Sequence, residues 1–370
     1  MSCPLPNDVL AEIISYLPAK AFFKLLPVCK TFYQLSSDSH FLLSQSYYNK
    51  AISGFFINSS NIFRSFIPID PYAGVPSSSI EFLHQRESII LGSAGGLVFV
   101  LLRKYGWFDG APDLWVYNPA RGTRCQLPCP PGKFSQGGIA VRFMNNGDGV
   151  TTGYKLVYLT RRWNPLQRCR VYDSVARAWT MDKEIDFGGR ELDLEHPVVC
   201  DDTVFWASSE VGSYMSIESC VVAFDVGDEC TQIITIPKDT VIDFFDTIGI
   251  SKWEGKSLCL IRHSTFSCKF VLWLLNKTSD GAPGWVKVQE ISLAGLGFRE
   301  PCYVSYVVLS EMASTKLLVF TKDSVLYSCN INNGELEKLS SLIDYHSLTL
   351  FPYSNTLRPC GEQQELLEAI

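Results

Sequence analysis

The sequence predicts a mainly β protein in two parts: a three-helix module over residues 1–48 and a closed, six-bladed β-propeller over residues 50–358, with a tail at 359–370. Three observations predict it. Apolar residues in the first fifty positions recur at three- and four-residue steps, the period of a helix. After residue 50 the apolar runs shorten, fill with β-branched and aromatic residues, and come in pairs. The second run of each pair ends on an Asn or Asp, and these corners recur every 51 to 60 residues. That period suits one four-stranded sheet per repeat.

In the helical part, Val9, Leu10, Ile13, Ile14 and Leu17 form one apolar stripe. Asn7 or Asp8 is placed to cap its start, and Pro18 to end it. A second stripe runs through Phe22, Leu25, Leu26, Cys29, Phe32 and Tyr33; Pro27 falls inside it and should kink or split that helix. A third helix is expected from near Asp38, carrying Phe41, Leu42 and Tyr47. Fifty residues bury only a small core, so some of these apolar side chains are expected to await a partner.

The paired runs follow. Leu97–Leu102 goes with Leu114–Tyr117, Tyr154–Leu159 with Cys169–Tyr172, and Thr203–Ala207 with Val221–Phe224. Ser257–Ile261 then pairs with Phe270–Leu275, and Lys316–Phe320 with Val325–Ser328. The corners are Asn118, Asp173, Asp225, Asn276 and Asn330, with Asn58 a weaker earlier copy. An Asx side chain suits a corner because it bonds to backbone two residues on. Six copies indicate six blades, and Leu348–Phe351 is expected to return to the first blade and close the ring, leaving no long sheet edge exposed.

Composition narrows the function. The net charge is −6 with no long run of either sign, so no nucleic-acid partner is expected. Thirteen cysteines lie at irregular spacing without a CxxC pair, which fits reduced thiols in cytoplasm or nucleus. The N-terminus does not read as a signal peptide. The longest apolar runs have six residues, far short of a membrane span, and no membrane partner is expected.

Nothing in the sequence assembles a catalytic or metal constellation. His40, His84, His196, His263 and His346 lie far apart, and His196 four residues before Cys200 is the nearest approach to a metal spacing. Two ligands are too few, so no metal and no cofactor is expected. Asp201-Asp202 reads as a solvated turn in preference to an acid–base pair. The pairs Gly95-Gly96, Gly137-Gly138 and Gly188-Gly189 read as sites of positive φ or close backbone packing in preference to phosphate loops.

Two stretches then carry a resemblance. Leu5-Pro6-Asn7-Asp8-Val9-Leu10 with Ile13-Ile14-Ser15-Tyr16-Leu17-Pro18, followed by Val28-Cys29-Lys30-Thr31-Phe32-Tyr33, resembles the F-box. Pro27 stands where a polar or basic residue is more usual, and Phe32 where Trp is common. Gly92-Ser93-Ala94-Gly95-Gly96-Leu97-Val98, Tyr117-Asn118-Pro119 with Gln126-Leu127-Pro128, and Tyr172-Asp173 with Trp179 are similar to the kelch-like F-box-associated propeller of plant F-box proteins.

The resemblance implies a non-catalytic subunit of a Skp–cullin–F-box (SCF) ubiquitin ligase. Its F-box docks on a Skp-family adaptor and, through it, on cullin; its propeller holds an unidentified target protein for ubiquitination. The docking residues it implies are Leu5, Pro6, Val9, Leu10, Ile13, Leu17 and Pro18, then Phe22, Leu25, Leu26, Val28, Cys29, Lys30 and Phe32. For the target, loop residues Trp107, Phe108, Arg161, Arg162 and Trp163 are candidates, being types favoured at binding hot spots; the segment Glu191–His196 is placed to reach the same face. Two alternatives stay open: a ligand- or glycan-sensing F-box propeller, and a propeller hydrolase with an incidental helical leader.

Overall fold

The computed structural model describes residues 5–49, 51–60, 62–69, 74–85, 88–102, 112–131, 137–145, 151–160, 166–188, 190–208, 219–237, 246–277, 282–312, 315–342, 348–361 and 365–366. The helical part has four helices, α1 (Asn7–Ser15), α2 (Ala19–Leu25), α3 (Lys30–Leu35) and α4 (Ser39–Tyr48). Four replace the expected three because Pro27 splits the second stripe. It has no N–H to donate, and the chain turns there with Val28 N donating to Leu25 O at 3.0 Å.

Neither Asn7 nor Asp8 caps α1. Pro6 stands at the cap position at φ −55° and no side chain bonds to the helix start. Proline suits a helix entrance because its φ is already close to helical. Asp38 does cap α4, its Oδ1 accepting from Phe41 N at 2.7 Å.

Six sheets form the propeller. Blade 1 opens with β1 (Gly54–Ser59) and β2 (Ile62–Pro68), and a helix, α5 (Ser77–Gln85), leads to blade 2. Blade 2 has β3 (Ile89–Ala94), β4 (Leu97–Leu102), β5 (Asp113–Asn118) and β6 (Thr123–Leu127). Blade 3 has β7 (Gly137–Asn145), β8 (Thr151–Thr160), β9 (Leu166–Asp173) and β10 (Ala178–Asp186). Blade 4 has β11 (Val198–Cys200), β12 (Thr203–Ser208), β13 (Cys220–Asp225) and β14 (Thr231–Thr235). Blade 5 has β15 (Thr247–Trp253), β16 (Ser257–Ser264), β17 (Lys269–Lys277) and β18 (Pro283–Ser292); blade 6 has β19 (Tyr306–Met312), β20 (Thr315–Lys322), β21 (Val325–Asn330) and β22 (Leu336–Ser341). All neighbours pair antiparallel.

The ring closes as the sequence suggests. β23 (Leu348–Tyr353) pairs antiparallel with β1, setting Phe351 opposite Phe56. Blade 1 therefore has three strands among the described residues, in the order β2-β1-β23. Blade 2 has five, because β24 (Glu365–Leu366), within the stretch read from sequence as a tail, pairs with β6. The same stretch contains Cys360, which is buried.

Each blade-to-blade contact is an apolar cluster. Between blades 3 and 4, for example, Val157, Leu159 and Cys169 meet Val204, Trp206 and Val222. Between blades 6 and 1, Tyr306, Val319 and Leu326 meet Phe55, Ile57 and Leu350. The helix α5, absent from the sequence expectation, sets Phe82 and Leu83 against Phe63, Val98 and Tyr117 between blades 1 and 2. Close packing also explains Gly138: a Cβ there would stand 1.7 Å from Leu194 O.

Three of the six corners act as Asx turns. Asp173 Oδ1 accepts from Val175 N at 2.8 Å, Asp225 Oδ1 from Gly227 N at 2.8 Å, and Asn330 Oδ1 from Asn332 N at 3.0 Å. Asn118 Oδ1 reaches one residue further, accepting from Arg121 N at 3.2 Å. Asn276 is exposed near the end of β17. Asn58 instead reaches into the next blade, donating from Nδ2 to Ile90 O at 2.9 Å.

Candidate functional site

The first helix has two apolar faces. Leu10 and Ile14, four residues apart, are buried in a small core with Ala19, Phe22, Phe41 and Leu42. Leu5, Val9, Ile13 and Tyr16 lie on the other side, with exposures of 44%, 40%, 53% and 56%. An amphipathic helix that serves only its own domain turns polar residues outward; α1 turns out a second apolar row. Val28 extends the exposed apolar surface from the turn before α3, 65% exposed, with Cys29 and Lys30 beside it in sequence and also exposed.

Of the docking residues expected from the sequence, the structure leaves Leu5, Pro6, Val9, Ile13, Val28, Cys29 and Lys30 exposed. Leu17, Pro18, Leu25, Leu26 and Phe32 are half-buried. Leu10 and Phe22 belong to the module's own core, Phe22 lying 4.8 Å from Phe41 between ring centroids. Both fall on the inner side of their stripes, where they pack the module's core and are closed to a partner. Tyr16 and Tyr33, the latter 67% exposed, join the exposed set without having been expected. The signal for Tyr16 was its place three residues after Ile13.

The opposite side of the module is fixed to the propeller. Gln45 on α4 is fully buried, its Nε2 donating to Leu17 O at 2.9 Å and its Oε1 accepting from Leu357 N at 2.8 Å. Leu357 and Ala120, at a corner of blade 2, complete the module's apolar core. Asn118 holds the Leu357 segment in turn, its Nδ2 donating to Thr356 O at 3.0 Å and Arg358 O at 2.6 Å.

The module therefore sits on the propeller edge that bears the third-to-fourth-strand turn of blade 2. In an up-and-down blade the second-to-third-strand connections leave from the opposite edge. Trp107 and Phe108 belong to the β4–β5 connection, and Arg161, Arg162 and Trp163 to the β8–β9 connection; all five lie outside the described residues. The equivalent turn of blade 5 is described and presents Phe266, 52% exposed. Beside it Tyr303 is 48% exposed, the two segments being joined by Cys302 N donating to Thr265 O at 3.1 Å. Neither was foreseen, since one aromatic in a turn carries no periodic signal.

The segment Glu191–His196 does not form a free loop. Leu192 bridges to Ser208, and Leu194 is buried between blades 3 and 4. Asp193, Glu195 and His196 turn into a central channel of about 980 Å³ lined by β23 and the first strand of blades 2 to 6. His196 Nδ1 lies 2.8 Å from Asp193 Oδ2. Burial opposes both charges, but the pairing prevails: His196 is raised above its ordinary value and Asp193 held below the usual carboxylate range.

Among the described residues no group of three or more His, Cys, Asp or Glu side chains comes together to hold a metal. Asp201, at positive φ, and Asp202 occupy the exposed β11–β12 turn, with Asp202 paired to Arg142. That is a solvated corner with a surface ion pair.

Comparison with known proteins agrees with this division. Residues 3–44 match the family model for the F-box domain, and residues 77–346 match that for the F-box associated beta propeller domain. The chain is 27% identical over 274 residues to F-box protein At5g49610 of Arabidopsis thaliana, covering 70% of each. It is 25% identical to F-box only protein 13 of the same plant, over 49% of this chain and 39% of that one. It is 27% identical to F-box only protein 6, also from Arabidopsis thaliana, over 47% and 36%. A helical module with an outward apolar row, fixed to a six-bladed ring and matched by both family models, places the chain in the F-box-associated β-propeller family, with an F-box at its N-terminus.

Proposed function

We propose that the chain is the substrate-recognition subunit of an SCF ubiquitin ligase, docking a Skp-family adaptor through the F-box and a target protein through the propeller. The supporting observation is the exposed row Leu5, Val9, Ile13 and Tyr16, carried on a helix whose other face is occupied by the module's own core. In this role the chain performs no bond chemistry. It holds a target lysine near the conjugating enzyme and raises its effective concentration there.

The clamp through Gln45 supports the same reading. It fixes the adaptor-facing row relative to the propeller edge that bears the second-to-third-strand connections, so a target held at that edge is presented at a set distance and angle. The test is a pull-down of purified full-length protein with a recombinant Skp adaptor, beside a version lacking residues 1–45. Capture that disappears with the deletion is the expected result. A well-folded full-length chain that captures no adaptor would defeat the proposal.

A further inference from the structure

The central channel, about 980 Å³, has the volume of a small-molecule site. Most of its charged side chains are matched. Asp202 pairs with Arg142, Glu254 with Lys316 at 2.9 Å, Asp193 with His196, and Glu195 accepts from Thr349 Oγ1 at 2.8 Å. Asp201 and Lys252 line it too, and both are exposed to water.

Arg358 differs. It lines the same channel yet is only 5% exposed, with its guanidinium 3.9 Å from the centre of the Phe143 ring and its Nε donating to Gly95 O at 3.1 Å. Its Nη1 meets no hydrogen-bond partner, and no carboxylate among the described residues pairs with it. Burial pulls its pKa down to about 10, which leaves it charged at neutral pH. A buried guanidinium is costly unless an anion accompanies it. One carbonyl and one aromatic face offset only part of that cost.

We propose that the channel is a binding site for a small organic anion whose carboxylate or phosphate pairs with Arg358. The planar fork of arginine suits either group, through two parallel hydrogen bonds. Phe143 supports the guanidinium from one side. Tyr47 and Tyr48 of α4 line the same channel, so an occupant touches both the F-box module and the propeller.

The test is thermal denaturation of the full-length protein in millimolar inorganic phosphate, citrate or a poly-glutamate peptide, each against sodium chloride at matched ionic strength. The expected result is a rise of about 2–4 °C with phosphate or citrate, absent in Arg358→Gln and smaller in Arg358→Lys, which keeps the charge and loses the fork. Whichever of the two anions acts identifies the preferred group. The proposal is overturned if neither raises the wild-type midpoint, or if the rise is the same in Arg358→Gln. Stabilisation by the peptide alone would also overturn it, in favour of a protein segment as occupant. Should Arg358→Gln not fold, an unreduced rise in Arg358→Lys decides against it.

Discussion

Replacing Gln45 with Met should loosen the F-box from the propeller while leaving the propeller interior intact. Methionine keeps the length of the side chain and its helix propensity, so α4 and its packing survive. What is lost is the amide, and with it the partners of Leu17 O and Leu357 N. Leu357 is fully buried and Leu17 half-buried, so water replaces neither partner freely. A buried polar group left unsatisfied costs about 1–3 kcal/mol, which gives about 2–6 kcal/mol for the pair. Only the Leu357 bond crosses the junction, so about 1–3 kcal/mol falls on the coupling, while the loss of the Leu17 bond weakens the helical module itself.

Two readouts follow for the full-length protein. Urea denaturation should separate into an early transition for the helices and a later one for the propeller. Hydrogen exchange at the Leu357 amide should accelerate by about 30-fold, the rate equivalent of about 2 kcal/mol in opening free energy. A single transition at the wild-type midpoint, with Leu357 still fully protected, would refute the reasoning. It would mean that the apolar contacts of Leu357 and Ala120 hold the junction by themselves.

The remaining predictions concern docking and pH. Leu5→Ala combined with Pro6→Ala should weaken binding to a recombinant Skp adaptor at least about tenfold, because a large apolar side chain buried at an interface contributes about 1.5–3 kcal/mol and tenfold is about 1.4. Unchanged affinity by calorimetry, with the propeller intact, would remove Leu5 from the docking face. His263 on β16 is fully buried with neither ring nitrogen hydrogen-bonded, and burial, opposed by Asp246 and aided by Arg262, pulls its pKa down to about 4. Above the ordinary value of 6.5 the ring is neutral in both folded and unfolded chains. Between 6.5 and about 4 only the unfolded chain takes the proton, so folding loses about 3 kcal/mol from this residue as the pH falls. His263→Leu should remove that part of the acid sensitivity, read as the difference between the two proteins in urea denaturation at neutral pH and near pH 4.5; parallel pH profiles would exclude it.

The sequence by itself determined the architecture, because architecture here is periodic. A change from steps of three and four to short paired runs is written in consecutive residues, as is the recurrence of Asn118, Asp173, Asp225 and Asn330 at turns where an Asx side chain closes the corner on its own neighbours. The return of Leu348–Phe351 to the first blade followed from the same logic, since a ring leaves no edge to satisfy otherwise. Pro27 announced the split between α2 and α3 because the missing N–H is a property of that one residue.

Only the tertiary structure decided which face of each stripe is which. Leu10 and Ile13 are alike in a sequence pattern, yet one packs against Phe22 and Phe41 while the other is exposed, and the difference is made by α4, about thirty residues away. The joining of Gln45 to Leu357 across 312 residues, and the enclosure of Arg358 beside Phe143, are likewise set by chain segments that meet only when the ring closes. Local periodicity reports what a residue does for its own element. Burial, pairing and the channel depend on what the closed ring brings to it.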